Sequence, residues 1–126
     1  MDLKCVMIVD DSEPDQFICK AIIENENPDI NLLQAYDGQE ALELLDSAET
    51  QPEIIFLDIN MPRMNGHEFL EAYDKRENNN ATIVVMLTSS EQEDDKKRSM
   101  AYHCVKSYIA KPLDFSDIVE ASKFLE

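Results

Sequence analysis

Four short stretches of this sequence end in side chains suited to phosphoryl or metal chemistry. They are the acid pair Asp10 and Asp11 closing "CVMIVDD", Asp58 closing "IIFLD", Thr88 and Ser89 closing "TIVVMLTS", and Lys111 before Pro112 in "YIAKP". Three carboxylates brought within a few ångströms repel one another and raise one another's pKa unless a cation sits among them. Carboxylate oxygens with no histidine or cysteine nearby suit a hard divalent ion: Mg²⁺, Mn²⁺ or Ca²⁺. Mg²⁺ takes few protein carboxylates and shares its remaining positions with water and phosphate. Beside such an ion Lys111 would offset charge on a phosphoryl group and Thr88 would hydrogen-bond one of its oxygens. An aspartate in that setting can also be the attacking nucleophile, forming an aspartyl-phosphate, and Asp58 is the natural candidate. Taken singly, each residue has a plainer reading: Asp10-Asp11 a loop start with a helix cap behind it, Asp58 a turn residue, Thr88 a β-former, Lys111-Pro112 a loop.

What brings these residues together is the pattern between them. Apolar runs recur at "CVMIV", "NLLQA", "IIFLD", "TIVVML" and "VKSYIA", each separated from the next by a stretch with helical periodicity. This alternation predicts an α/β fold, a doubly wound five-stranded parallel sheet. Ligands of such sheets bind at the carboxyl ends of the strands, where all four chemical stretches fall. Ser12, Glu13 and Pro14 signal the start of a first helix, with Phe17, Ile18, Ala21, Ile22 and Ile23 as its apolar stripe. Further helices are expected over "DGQEALELLDSA", after Asn65-Gly66 with Phe69, Leu70 and Tyr73 inward, over "SEQEDDKKRSMAYH" and over "DFSDIVEASKFLE". Gln34, Lys106 and Ser107 mark the second and fifth strands as sheet edges, and "RENNN" at Arg76 to Asn80 reads as a loop.

Composition narrows the function classes. The 126 residues suit one domain, 1–126, and no apolar run approaches the roughly 20 residues of a membrane span. The N-terminus lacks the features of a signal peptide, which together with the absent span implies a cytoplasmic protein. A formal charge of −16, from 27 acidic against 11 basic residues, argues against direct nucleic-acid binding and against an anionic membrane. Cys5, Cys19 and Cys104 have no metal or redox spacing and read as buried thiols. His67 and His103 have no ligand partner at useful spacing and read as surface or packing residues.

"VDD" at Val9 to Asp11, "FLDINMPRMNG" at Phe56 to Gly66, "MLTSS" at Met86 to Ser90 and "YIAKP" at Tyr108 to Pro112, in that order, resemble the landmarks of response-regulator receiver domains of two-component systems. The resemblance implies a flavodoxin-like (βα)5 fold with strand order 2-1-3-4-5; a chemotaxis receiver is a standard example of that order. It implies that Asp58 accepts a phosphoryl group from a sensor histidine kinase or a histidine phosphotransfer protein. Asp11, Asp58 and the Asn60 carbonyl would be direct Mg²⁺ ligands, with Asp10 acting through water and Mn²⁺ as an alternative ion. Thr88, Ser89, Tyr108 and Lys111 would form the switch group, and the Lys111–Pro112 bond is typically cis in the family. The output would be a changed surface on the fourth helix, fifth strand and fifth helix, presented to a protein target that the motifs do not identify.

Two departures from the common pattern stand out. Tyr102 and His103 lie where many members have glycine or small residues, and Asn60 and Ser90 occupy positions that tune phosphoryl lifetime in relatives. A small-molecule phosphatase working through an aspartyl-phosphate usually has a second catalytic carboxylate where this chain has Asn60. A phosphorylation-independent interaction module would be favoured by loss of an acid or of the lysine, and all are present. The leading reading is therefore a switch that is not an enzyme beyond its own phosphorylation and dephosphorylation, whether it stands alone or is part of a longer regulator.

Overall fold

The computed structural model describes residues 3–76, 81–89 and 92–125. The chain alternates β1 (Cys5–Val9), α1 (Glu13–Glu26), β2 (Asn31–Ala35), α2 (Gly38–Ser47), β3 (Ile54–Leu57), α3 (Gly66–Asp74), β4 (Ile83–Thr88), α4 (Glu93–Met100), β5 (Val105–Ala110) and α5 (Phe115–Ser122), with a closing 3₁₀ turn at Lys123–Leu125. The strands pair in parallel in the order β2-β1-β3-β4-β5, so the expected fold and both expected edges are found.

Period-two alternation along the central strands builds two cores, one on each face of the sheet. Val6 and Ile8, Ile54 and Phe56, and Val85 and Leu87 face α1 and α5, packing with Cys19, Ile23, Ile118 and Ala121. Met7 and Val9, Ile55 and Leu57, and Val84 and Met86 face the other way, toward Ala41, Leu45, Phe69, Leu70 and Tyr73. All residues of β1, β3 and β4 are buried, as strands covered on both faces should be. A bulge between Val84 and Val85 passes over Lys106, so that Tyr108 pairs with Met86 and Ala110 with Thr88.

The inward face of α1 differs from the expected stripe. Phe17 and Ile18 are exposed, at 73% and 41%, as is Ala21, whereas Ile23 is buried and Ile22 packs against the core as expected; Gln16 and Cys19 take the remaining inward positions. The reason is polar. Gln16 Nε2 donates to the carbonyls of Ile8, Asp10 and Ala35, at 3.3, 3.1 and 2.8 Å, and its Oε1 accepts from Gln34. A buried amide that serves strand-end carbonyls outcompetes a hydrophobe for that position. The fourth helix is shorter than the expected segment: it ends at Met100, and Tyr102 N–H to Ser99 O and Val105 N–H to Tyr102 O close the turn into β5. This turn needs no left-handed residue, so Tyr102 and His103 fit where glycine is common. Positions 77–80 of the expected loop, and Ser90, lie outside the described residues.

Both glycines serve close approach rather than turning. A Cβ on Gly38 would lie 2.7 Å from Met64 Cγ, and one on Gly66 would lie 2.9 Å from Ile59 Cα and even nearer the Asp58 carbonyl oxygen. The left-handed position in this region is Arg63, at φ 61°.

Gly66→Ala should therefore cost about 2–3 kcal/mol in urea denaturation, since the obstructing atoms are backbone and cannot swing aside; a cost near zero would show that α3 is not pinned against β3. Gln16→Met keeps the volume but removes the side-chain donor to the buried Asp10 carbonyl and one of the two donors to the Ala35 carbonyl, and an expected loss of about 1–3 kcal/mol should appear in the same measurement.

Candidate functional site

The sheet register delivers the polar residues to one rim. Asp10 N–H donates to the Ala35 carbonyl, Asp58 N–H to Val9 and Lys111 N–H to Thr88, so each chain leaves its strand one step beyond its neighbour's last pair. Asp10 and Asp58 are buried at 2% and 6% exposure and Thr88 is fully buried, while Asp11, Asn60 and Ser89 are exposed. Carboxylate oxygens of Asp10, Asp11 and Asp58 lie within 4.8 Å of one another.

Local backbone geometry aims these carboxylates. Asp10 Oδ1 accepts from Ser12 N–H at 2.9 Å, and Asp58 Oδ1 accepts from Ile59 N–H at 2.7 Å. Their second oxygens turn toward Lys111, whose Nζ stands 2.7 Å from Asp10 Oδ2 and 2.9 Å from Asp58 Oδ2. The Asp58 contact is an aligned hydrogen bond; the Asp10 contact is an ion pair without that alignment, which leaves Asp10 Oδ2 buried with no directed donor. Burial raises the Asp10 carboxyl above its ordinary pKa, and Asp58 adds to the rise, against the partial relief that Lys111 and Ser12 N–H provide. Burial alone would lower Lys111, but its close contacts with the Asp10, Asp15 and Asp58 carboxylates outweigh that and hold it well above the ordinary lysine value. Cys19, beneath the site, is pushed to about 12 by burial and nearby carboxylates, which keeps the thiol protonated and inert.

The donor set fits a hard cation: only carboxylate oxygens, one of them without a directed donor, in a group reached from the surface through exposed Asp11. The connection after β3 is braced from α2. Arg63 Nε and Nη2 each lie 2.8 Å from Asp37 Oδ2, and Gly38 N–H donates to Met64 O at 2.9 Å. Asn60 precedes this braced segment, and Gly66 N–H returns to the Ile59 carbonyl at 2.8 Å. Tyr108 is half-buried on β5, packed against the core that faces α2 and α3, and the Lys111–Pro112 bond is cis. His67 is a packing residue, 4% exposed, with Nε2 3.1 Å from Asp95 Oδ1 on α4.

The residues singled out from the sequence thus meet at one rim, with Tyr108 set back along β5. Two were missed: Gln16, which precedes the expected stripe and was given no role, and Asp15, whose Oδ2 lies 2.8 Å from Lys111 Nζ. Asp15 stands among the acids of "DDSEPD", where a helix-start reading accounted for it without any site.

Comparison with known proteins gives a consistent picture. A 76-residue stretch is 36% identical to the sensor histidine kinase CheAY of Helicobacter pylori, covering 58% of this chain and 9% of that protein. The chain spans well under a quarter of the length of the first such relatives it matches. A two-component response regulator from Cytophaga hutchinsonii superimposes with a TM-score of 0.89 at 26% identity, over 99% of this chain and 98% of that one. The Mn²⁺-bound form of response regulator Rcp1 gives a TM-score of 0.77 at 27% identity, over 98% and 91% of the respective chains. The family profile for the response regulator receiver domain matches residues 6–123, and the chain belongs to that family.

Proposed function

We propose that this chain is a phosphoryl-accepting switch in which Asp58 takes a phosphoryl group from a phosphohistidine on a sensor histidine kinase or a phosphotransfer protein. The observation that carries this reading is the Lys111 ammonium held 2.9 Å from Asp58 Oδ2 beside the Asp10–Asp11–Asp58 oxygen cluster. In the transfer a carboxylate oxygen of Asp58 attacks phosphorus, the P–N bond breaks with its electron pair returning to the imidazole, and an acyl phosphate forms. Lys111 donates to the oxygens of the incoming group, and Thr88, at the adjacent strand end, supplies a hydroxyl to one of them.

Asp10, Asp11, Asp58 and the Asn60 carbonyl would hold Mg²⁺, or Mn²⁺ as named for the similar Rcp1 structure. Such an ion neutralises charge on the transferring group when bound. The chain's own residues orient the rest: Ser12 and Ile59 N–H groups fix the rotation of Asp10 and Asp58, and the Arg63–Asp37 pair braces the segment after Asn60. The output is a rearrangement in which Thr88, Ser89 and Tyr108 remodel the α4–β5–α5 surface for a protein partner. In this reading the chain is a cytoplasmic receiver, not an enzyme toward other substrates. Among the described residues no helix is long and apolar enough to cross a membrane.

Incubation with acetyl phosphate and Mg²⁺ should yield a single base-labile phosphoryl adduct by intact mass, absent from Asp58→Asn; an adduct that persists in that variant would refute the assignment. Asp10→Asn should have two opposite effects. Because burial raises the Asp10 pKa, the native state holds a proton more readily than the unfolded chain, so its charge costs stability at neutral pH and the cost fades on acidification. The variant should therefore unfold at higher urea than wild type without metal at neutral pH, and gain less stability from added Mg²⁺. Lower metal-free stability would contradict the electrostatic account.

A further inference from the structure

Asp15 is the carboxylate around Lys111 that the phosphoryl chemistry does not use. It stands 2.8 Å from Nζ, at the same range as Asp10 and Asp58, but it lies outside the oxygen cluster that fits a cation. Its side chain is 35% exposed, against 3% for Asp10 and 8% for Asp58. Its place is set by the first turn of α1: Pro14 fixes the backbone beside it, Ser12 Oγ accepts its N–H at 3.3 Å, and Gln16 locks the next residue to β1 and β2.

Lys111 bonds to two carboxylates that a divalent ion would also claim. An ion held by Asp10, Asp11 and Asp58 cancels the attraction those groups exert on the ammonium and adds a repulsion of its own. Lys111 and the cation would then compete for the same oxygens, although transfer needs both. Asp15 removes the conflict, since its charge stays available to Lys111 when the others are taken. We infer that Asp15 is a positioning residue that keeps the Lys111 ammonium beside Asp58 once a divalent cation has bound. This inference rests on the reading of Asp58 as the phosphoryl acceptor, and it makes the Asp15–Lys111 pair stronger in the cation-loaded state than in the free one.

The test is a double-mutant cycle on Mg²⁺ affinity in the full chain, measured by calorimetric titration for wild type, Asp15→Asn, Lys111→Met and the double variant. With Lys111 present, Asp15→Asn should weaken Mg²⁺ binding by about fivefold or more, and by under about twofold in the Lys111→Met background. An equal or larger effect without Lys111 would mean that Asp15 acts only through its field on the ion, and would overturn the proposal. If Lys111→Met does not fold, Lys111→Gln completes the same cycle. A second readout follows acetyl phosphate at saturating Mg²⁺: Asp15→Asn should slow the maximal phosphorylation rate by about fivefold, and Asp15→Glu should restore most of it. A rate unchanged by Asp15→Asn would also overturn the proposal. The cycle involves no phosphorylation, so its failure is separable from failure of the acceptor assignment, which Asp58→Asn decides.

Discussion

One ammonium group set against a ring of carboxylates governs this molecule's working rim. Lys111 contacts Asp10, Asp15 and Asp58 at once, with Asp11 beside them, in a protein whose formal charge is already −16. Two of those acids are almost wholly buried, so water does little to spread their charge. A single lysine cannot neutralise the group, and the remainder is a standing attraction for a cation or for the positively charged part of a partner. Much of the nearby structure keeps that imbalance in place. Gln16 ties α1 to the ends of β1 and β2, Gly66 lets α3 press against the Asp58 carbonyl, and the Arg63–Asp37 pair holds the loop between β3 and α3 to α2.

The fold was legible because its signals are periodic and redundant. Two-residue alternation in β1, β3 and β4 splits cleanly between the two cores, and the polar residues of β2 and β5 mark the edges. The acids and the lysine at the strand ends were legible for a related reason: the end of a buried strand is a location that sequence defines well. Asp15 and Gln16 were not, because their partners come from other elements. Gln16 reaches carbonyls of β1 and β2 and so fills a position that hydrophobicity assigned to Phe17 and Ile18. Asp15 meets a residue 96 positions away, and an acid in the first turn of a helix already has a sufficient local explanation. Pattern reading fails where a side chain answers to a backbone group or charge that no spacing rule connects to it.

The bracing is uneven. On the side of β2, β1 and β3, side-chain bonds and close backbone contacts link α1, α2 and the loop after β3. Toward β4 and β5 the register carries a bulge, and β5 is half-buried along most of its length. The proposed acceptor Asp58 thus sits on the side-chain-braced half of the rim, as the proposed switch requires of a carboxylate that stays still while neighbouring residues respond to it.

Helix α4 takes this asymmetry furthest. Of its eight residues only Ser99 is buried, and the His67–Asp95 contact provides its polar link to α3. A helix with one buried residue, whose hydroxyl bonds back to the helix's own Asp95 carbonyl, has little apolar area to lose when it shifts, so displacing it is inexpensive in free energy compared with moving α1 or α3. It is also a short helix with a very polar surface, so little of its stability comes from propensity alone. In the proposed switch a phosphoryl group would add only a few hydrogen bonds' worth of bias, and a weakly seated helix is the kind of element whose position so small a bias can reset. On the proposed reading the sparse packing of α4 would act as a gain control, setting how large a structural response a single covalent event could produce.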